Sequence, residues 1–496
     1  MVMELTRREL LALGALAAAG QSAGATEARS GVDVTRLTAS EISASIRDRR
    51  LSSLEIVNAC IARIEQVNPR LNAVVSSRAD DARRDAEQAD ALLARGGRVG
   101  PLHGVPMTIK DSFDTAGLRS TYGTTGRASF VPTSDAVVVA RLKAAGAILL
   151  GKTNTPEFTW SFETDNLVFG RTNNPWDVTL SPGGSSGGSA AIVAAHGVPF
   201  DIGTDSGGSI RVPAHFCGVA GLKPTAGRVP RTGHAVGFDG YLQSLTHVGP
   251  IARSVADLEL IYGIIAGPDG RDPFVVEVPR TDSRSVAMKG LRIAVHADNG
   301  VHAPAPSISQ AVAKVADGLE SAGARITSSV PSPLGEVMEI DDLLYHADGY
   351  AWLRRLLERA GTREPGPDVA PYLDYEALSP AEFSAAIERW DNWRSRMLQW
   401  FEPYDAIICP VSAFDELPHG AEDGSAAYAG FSYTFAYNLT GWPAAVVRAG
   451  TSPKGRPIGI QVIGRPWQEH IILALASEIE RRFGGYVPPP DQKLGT

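Results

Sequence analysis

The chain has 496 residues, 44% hydrophobic and 21% charged, an ordinary globular composition with ample length for a large core. Its formal net charge of −8 counts against nucleic acid or an anionic membrane surface as a partner. The three cysteines, Cys60, Cys217 and Cys409, lie far apart with no CxxC or Cys/His cluster, which argues against a disulfide framework and against a structural zinc site.

Near the start, Thr6-Arg7-Arg8-Glu9-Leu10-Leu11 precedes an Ala-rich run to Ala19, and Ala23-Gly24-Ala25 is a small-residue cleavage pattern. The stretch 1–25 resembles a twin-arginine export signal, removed after about Ala25. Its apolar run is too short and too alanine-rich for a membrane span. The expected location is periplasmic or secreted; an N-terminal amphipathic helix of a cytoplasmic protein is the alternative.

Thr38-Ala39-Ser40-Glu41 and Ser52-Ser53-Leu54-Glu55 are capping-box patterns that open helices near 39–49 and 53–67. A short strand is expected at Ala73–Ser76, a charged helix at Arg78–Arg95, and an alternating strand at Gly104–Lys110 that ends on a lysine. Asp135–Ala145 reads as a helix stopped by Gly146, and Ala147–Gly151 as a buried strand. Leu291–His296 is a strand, Ser307–Ala322 a helix and Arg325–Val330 another strand. From about 335 to 403 the pattern is helical, with Trp352, Trp390, Trp393 and Trp400. Asp405–Cys409 is a strand, Ala444–Arg448 and Ile458–Ile463 form a hairpin around Pro453-Lys454-Gly455, and Gln468–Phe483 is a closing helix. Strands alternate with helices throughout, so the fold class is α/β, with a single large mixed β-sheet flanked by helices on both faces. No internal repeat is visible, and no linker after about residue 30 divides the chain.

Between these elements lies Ser181–Arg211, with Gly/Ser clusters at Gly183–Ser189 and Gly207–Ser209 and an apolar run, Ala190–Ala195, between them. A flexible linker has no reason to contain such a run. Gly187–His196 reads as a helix ended by Gly197, with its first N–H groups free. Val198–Ile202 reads as a short strand that delivers the chain to Asp205–Ser209, where successive N–H groups can face one developing negative charge.

Three patterns compete for the chemistry. Gly146-Ala-Ile-Leu-Leu-Gly151-Lys152-Thr153 matches a Walker A string, but its middle is apolar and Asn154-Thr155-Pro156 would break the helix that must follow. Lys152-Thr153-Asn154 is therefore read as structural. G-x-S-x-G occurs around Ser185 and again around Ser186, yet Leu180-Ser181-Pro182 is a poor strand end, and the late histidine, His470, falls inside an amphipathic helix. The third pattern pairs serines with Lys110, one of eight lysines, none of which has a serine three residues before it. A lysine in an apolar, backbone-rich pocket loses its proton more easily and can act as a base. Lys110 taken alone reads first as a solvated strand-end lysine.

The segments G-V-P-M-T-I-K-D (104–111), G-K-T-N-T-P-E-F (151–158), F-G-R-T-N-N-P-W-D (169–177), S-P-G-G-S-S-G-G-S (181–189), G-T-D-S-G-G-S-I-R-V-P-A (203–214) and F-C-G-V-A-G-L-K-P-T (216–225) together resemble the amidase signature family in order and spacing. The resemblance covers about residues 37–487, with its specific motifs in 104–225 and a variable, substrate-determining segment at about 270–435. It implies Ser209 as nucleophile, Ser185 as the bridging serine whose preceding peptide is cis, and Lys110 as base. The main-chain N–H groups of Ser206, Gly207, Gly208 and Ser209 would form the oxyanion hole; Ser206 stands where members vary, and only its N–H is needed. Asp205 and Arg211 would tie down the loop as an ion pair, and Ser186 would support the relay or satisfy the turn.

The implied activity is metal-independent hydrolysis of a linear carboxamide through an acyl-enzyme, with no cofactor. The expected partner is a small-molecule amide, a homodimer being left open. An exported peptide amidase and the glutaminase subunit of an amidotransferase are the alternatives. A catalytically dead binding protein is disfavoured by the retention of Lys110, Ser185 and Ser209. Phe158, Trp160, Tyr345, Tyr350, Trp352, Phe431, Tyr433 and Phe435 are candidates for an apolar acyl pocket or for plain core. Cys217 is read as a packed small hydrophobe, and Asn438-Leu439-Thr440 as an idle glycosylation string.

Overall fold

Two capping boxes form as the sequence predicts. Thr38 and Ser52 accept from the N–H groups of Glu41 and Glu55, whose carboxylates reach back to the capping N–H, and helices Ala39–Arg47 and Ser53–Leu71 follow. The computed structural model describes residues 33–237, 240–421 and 424–490. Residues 1–25, with Arg7 and Arg8, lie outside the described residues. The chain divides into two units, Met1–Val34 and Thr35–Thr496, and the fold described is that of the second.

Eleven strands are present among the described residues: β1 Val74–Ser77, β2 Pro106–Lys110, β3 Ile148–Thr153, β4 Phe200–Asp205, β5 Ala220–Lys223, β6 His247–Ala252, β7 Arg292–Val295, β8 Arg325–Ser328, β9 Ala406–Pro410, β10 Ala444–Thr451 and β11 Pro457–Gly464. Eight form a mixed sheet in the order β4-β6-β5-β10-β11-β9-β7-β8, and β1-β3-β2 form a second ladder. The pairs β2–β3, β7–β8 and β7–β9 are parallel and the others antiparallel. The α/β architecture with its large mixed sheet is as expected, but the main-chain ladder is interrupted between β2 and β4. Side chains bridge that gap: Thr108 Oγ1 donates to Asp201 Oδ2 at 2.6 Å, and Lys110 Nζ to Thr204 Oγ1 at 2.9 Å.

Strands β5 and β6 escape the sequence pattern. The first is the four residues Ala-Gly-Leu-Lys, and the second carries Gly249 and Pro250, which weaken any strand signal. Tertiary pairing decides them, since β6 lies between β4 and β5. Helix Gly187–Ala194 is buried on every side, which explains its lack of an amphipathic face. The helical stretch after 335 resolves into Val337–His346, Ala351–Ala360 and Pro380–Phe401, with Trp352, Trp390 and Trp393 buried. Among the described residues, no helix is long and apolar enough to cross a membrane.

Candidate active site

Strand β2 is buried along its whole length, so its last residue, Lys110, has its ammonium out of water at 0% exposure. Its Nζ lies 2.7 Å from Ser185 Oγ, 3.0 Å from Ser186 Oγ and 2.9 Å from Thr204 Oγ1. Burial pushes its pKa well below that of an ordinary lysine, against the pull of Asp205 and Asp201. A neutral amine keeps two N–H donors and one lone pair. One of the three hydroxyls must then donate to Nζ, and Ser185 is the nearest.

The loop bearing Ser185 is tightly held. The Gly184–Ser185 peptide is cis. A Cβ on residue 184 would lie 2.4 Å from the carbonyl oxygen of Glu163, so only glycine fits. Thr164 Oγ1 donates to Gly183 O at 2.9 Å and accepts from Gly187 N–H at 3.1 Å, clamping both ends of the turn. Ser186, the next residue, is fully buried. Besides meeting Lys110, its hydroxyl donates to Thr204 O at 3.2 Å. Its N–H donates to Ser209 O at 3.1 Å, which joins the two Gly/Ser loops.

Strand β4 ends at Asp205, and the chain turns through Ser206–Ile210 into helix Arg211–Cys217. The Asp205 carboxylate accepts from the N–H of Ile210 at 3.1 Å and of Arg211 at 3.3 Å. It is also forked by Arg211 at 3.0 and 2.9 Å, both side chains being fully buried. Burial alone would raise this carboxyl, but Arg211, then Lys223 and Asn438, hold it below the usual carboxylate range. Asn438 supports the same carboxylate from a buried position. It is 2% exposed and donates to Asp205 O at 3.1 Å and to Asp205 Oδ1 at 2.9 Å. Among the described residues, the main-chain N–H groups of Ser206, Gly207, Gly208 and Ser209 donate to no protein acceptor. Ser209 is 7% exposed and lines a cavity of 640 Å³. Its hydroxyl makes no hydrogen bond among the described residues, to Ser185 or to any other group.

The cavity wall includes Phe158, Trp160, Tyr345, Tyr350, Trp352 and Phe435 from the expected set. Phe431 and Tyr433 lie behind it: Phe431 stacks on Phe162 at 4.0 Å, and Tyr433 donates to His302 O at 2.7 Å. Thr164, Thr204 and Asn438 act on the site without having announced it in sequence, and Tyr345, expected only as pocket wall, also donates to Ser206 O at 3.3 Å. Asn438 carried a signal, but it read as a glycosylation string.

The competing patterns lose their geometry. Residues 148–153 of the Walker-like string are strand β3, and Lys152 is buried against Phe113 O, Thr115 and Ser120, with Asp111 at 3.5 Å. The hydroxyls of Ser185 and Ser186 meet Lys110 and, among the described residues, no histidine. His470 lies on the closing helix Glu469–Phe483. Cys217 is fully buried, and burial pushes its thiol pKa up.

The family described as Amidase matches residues 55–473. The chain is 36% identical over 462 residues to an acylamidase of Rhodococcus erythropolis, covering 90% of this chain and 95% of the relative. It is 36% identical over 484 residues to a glutamyl-tRNA(Gln) amidotransferase subunit of Roseiflexus sp. (strain RS-1), covering 92% and 98%. A solved structure of 6-aminohexanoate cyclic dimer hydrolase complexed with substrate superposes with a TM-score of 0.82 at 28% identity, covering 94% of this chain and 100% of the other.

Proposed function

The chain belongs to the Amidase family, and we propose that it is a serine amidase that converts a carboxamide to acid and ammonia or amine through an ester on Ser209. The observation that carries this reading is the buried Lys110, its Nζ 2.7 Å from the hydroxyl of Ser185. As the neutral base, Lys110 takes the Ser185 proton while Ser185 takes that of Ser209. The Ser209 oxygen attacks the amide carbonyl. The oxyanion is received by the N–H groups of residues 206–209, which donate to no acceptor among the described residues; each such donor is worth roughly 3 kcal/mol in comparable sites. The proton then travels from Lys110 through Ser185 to the leaving nitrogen, the C–N bond breaks, and water repeats the sequence on the ester. The Ser185 and Ser209 hydroxyls need to approach only as substrate binds, because catalytic hydrogen bonds often tighten in the bound complex.

Intact-mass and peptide mass spectrometry after treatment with an alkyl fluorophosphonate tests the assignment. One adduct is expected, on Ser209, and S209A abolishes both labelling and amide turnover with the fold kept. An adduct on Ser185 or Ser186 overturns it.

Arg7-Arg8 and the Ala23-Gly24-Ala25 pattern support export of the enzyme. The likeness to an amidotransferase component favours one second reading, a glutaminase that hands ammonia to partner subunits. Co-purification with such subunits, and activity confined to glutamine, would support it over the free amidase.

A further inference from the structure

The cavity above Ser209 has a composition that an apolar acyl pocket does not require. Ten aromatic rings and three aspartates, Asp341, Asp342 and Asp368, line it, and among the described residues no lysine, arginine or histidine does. Trp160 is the hub of the aromatic part. Tyr345, Trp352, Tyr372 and Tyr350 meet it at centroid distances of 5.0, 5.2, 5.5 and 5.9 Å and at interplanar angles between 65° and 88°. Rings packed edge to face in this way make one continuous aromatic wall along the cavity, and the negative face of an aromatic ring attracts a cation.

Asp341 adds a charge partner. It is 2% exposed, and its Oδ2 accepts from Tyr428 at 3.1 Å, whereas its Oδ1 has no hydrogen-bond partner among the described residues. A carboxylate oxygen in an aromatic wall, with no donor among the described residues, suits a donor that arrives with a ligand. Burial pushes this carboxyl up to about 8, a shift that an ammonium beside it reverses. Position also fits. Asp341 precedes Tyr345 by four residues on helix Val337–His346, and Tyr345 touches the carbonyl of Ser206. Residues so spaced have Cβ atoms about 5–6 Å apart, so Asp341 stands one helical turn from the N–H loop.

Resting on the amidase reading above, we infer that the cavity selects amides whose acyl chain carries an ammonium a few carbons from the scissile carbonyl. The stem lies along the rings, and the cation sits against the aromatic wall beside Asp341. Hydrolysis then releases an amino acid of the ω-amino type with both its charges, a product less suited than the substrate to an acid-lined cavity.

The test compares the anilides of pentanoic acid, 5-aminopentanoic acid and glutaric acid by aniline release. The amino anilide is expected to exceed the neutral one in kcat/KM by about tenfold, and the anionic one to fall about tenfold below it, in keeping with cation–π and charge-assisted contacts. D341N should lower the amino-to-neutral ratio about fivefold on the same grounds. A readout that needs no variant is protection of Ser209. Pentylammonium should slow fluorophosphonate labelling of the wild-type enzyme at concentrations where pentanol and pentanoate do not. Equal kcat/KM for the three anilides, preference for the glutaric one, or an unchanged ratio in D341N overturns the inference. Turnover of the neutral anilide with Ser209 labelled, but without cation preference, sinks this inference alone. No turnover of any anilide and no adduct on Ser209 sinks the amidase reading with it.

Discussion

Lys110 sits among three hydroxyls at the end of a buried strand, and its lowered pKa follows from burial, since Asp205 and Asp201 act in the opposite direction. The group must be deprotonated to accept a proton, so amide turnover should rise as pH climbs through this lowered value and level off above it. K110A should lose that limb. Amine leaving groups need a proton as the C–N bond breaks, whereas alkoxides leave with less help. Removing Lys110 therefore damages two proton transfers for an amide and chiefly one for an ester. Each such event is worth about 10²–10⁴-fold, so the loss in kcat/KM should be at least about tenfold larger for an amide than for the ester of the same acyl group. A pH–rate series on one matched pair measures this, and equal losses with the limb retained would make Lys110 structural.

At the scale of elements, the site depends on how β4 is joined to helix Arg211–Cys217. Asp205, Arg211 and Asn438 form a dry polar knot in which Arg211 also meets Thr434 O at 3.0 Å and Gln461 at 3.1 Å. The helix Ser432–Leu439, which carries Thr434 and Asn438, is thereby fastened to the N–H loop. R211M removes one partner and leaves the Asp205 charge buried, which should cost about 3–5 kcal/mol in urea-monitored stability. Gly208 marks another constraint. It holds φ at +144°, and a Cβ there would lie 2.5 Å from Thr434 Oγ1. G208A should therefore displace the loop and lower kcat by roughly 10²–10³, the usual loss for one oxyanion donor, with a smaller effect on KM. A rise in KM alone, with kcat unchanged, would place the loop in ground-state binding.

Across the whole molecule, segment 104–225 holds Lys110 and the serines, whereas Asp341, Tyr345, Trp352, Tyr372 and Tyr428 of the cavity wall come from later in the chain. That division has a price in stability visible at Asp341, whose pKa is raised from 3.8 to about 8 by burial. The native state binds this proton more tightly than the unfolded chain does, so the contribution is full below about pH 4 and is lost as pH rises to about 8. Thermal melts of D341N against wild type should show the variant gaining relative stability across that window. A flat difference between pH 4 and 8 would remove Asp341 as its source. Arg7→Lys with Arg8→Lys tests the other end of the chain. The double variant should be retained in the cytoplasm of the native host, while the exported wild type begins near Thr26. Unprocessed wild-type chain in the cytosol would end the export reading.

Local signals settled much of this protein in advance. Capping boxes, helix stops at glycine and the hairpin around Pro453-Lys454-Gly455 depend on neighbours a few residues apart, and each formed as read. Ser185 and Ser209 stood out because they lie in glycine-rich turns that leave a dense pattern, whereas Lys110, at the end of strand β2, stood out only through the family resemblance. Strands β5 and β6, with Gly221, Gly249 and Pro250, were illegible because long-range pairing overrides their poor propensity. The interruption between β2 and β4, bridged by Thr108 to Asp201, could not be read from a period-two pattern. Nor could the third hydroxyl on Lys110, from Thr204, or the Thr164 clamp on Gly183 and Gly187, since threonine at a strand end or in a loop looks like any other. Burial decided the rest. It lowers the pKa of Lys110, turns Asn438 from a surface string into a support for Asp205, and sorts Trp160 and Tyr345 into the cavity wall but Phe431 and Tyr433 behind it. Burial is set by elements brought together from across the chain, so tertiary structure alone assigned it.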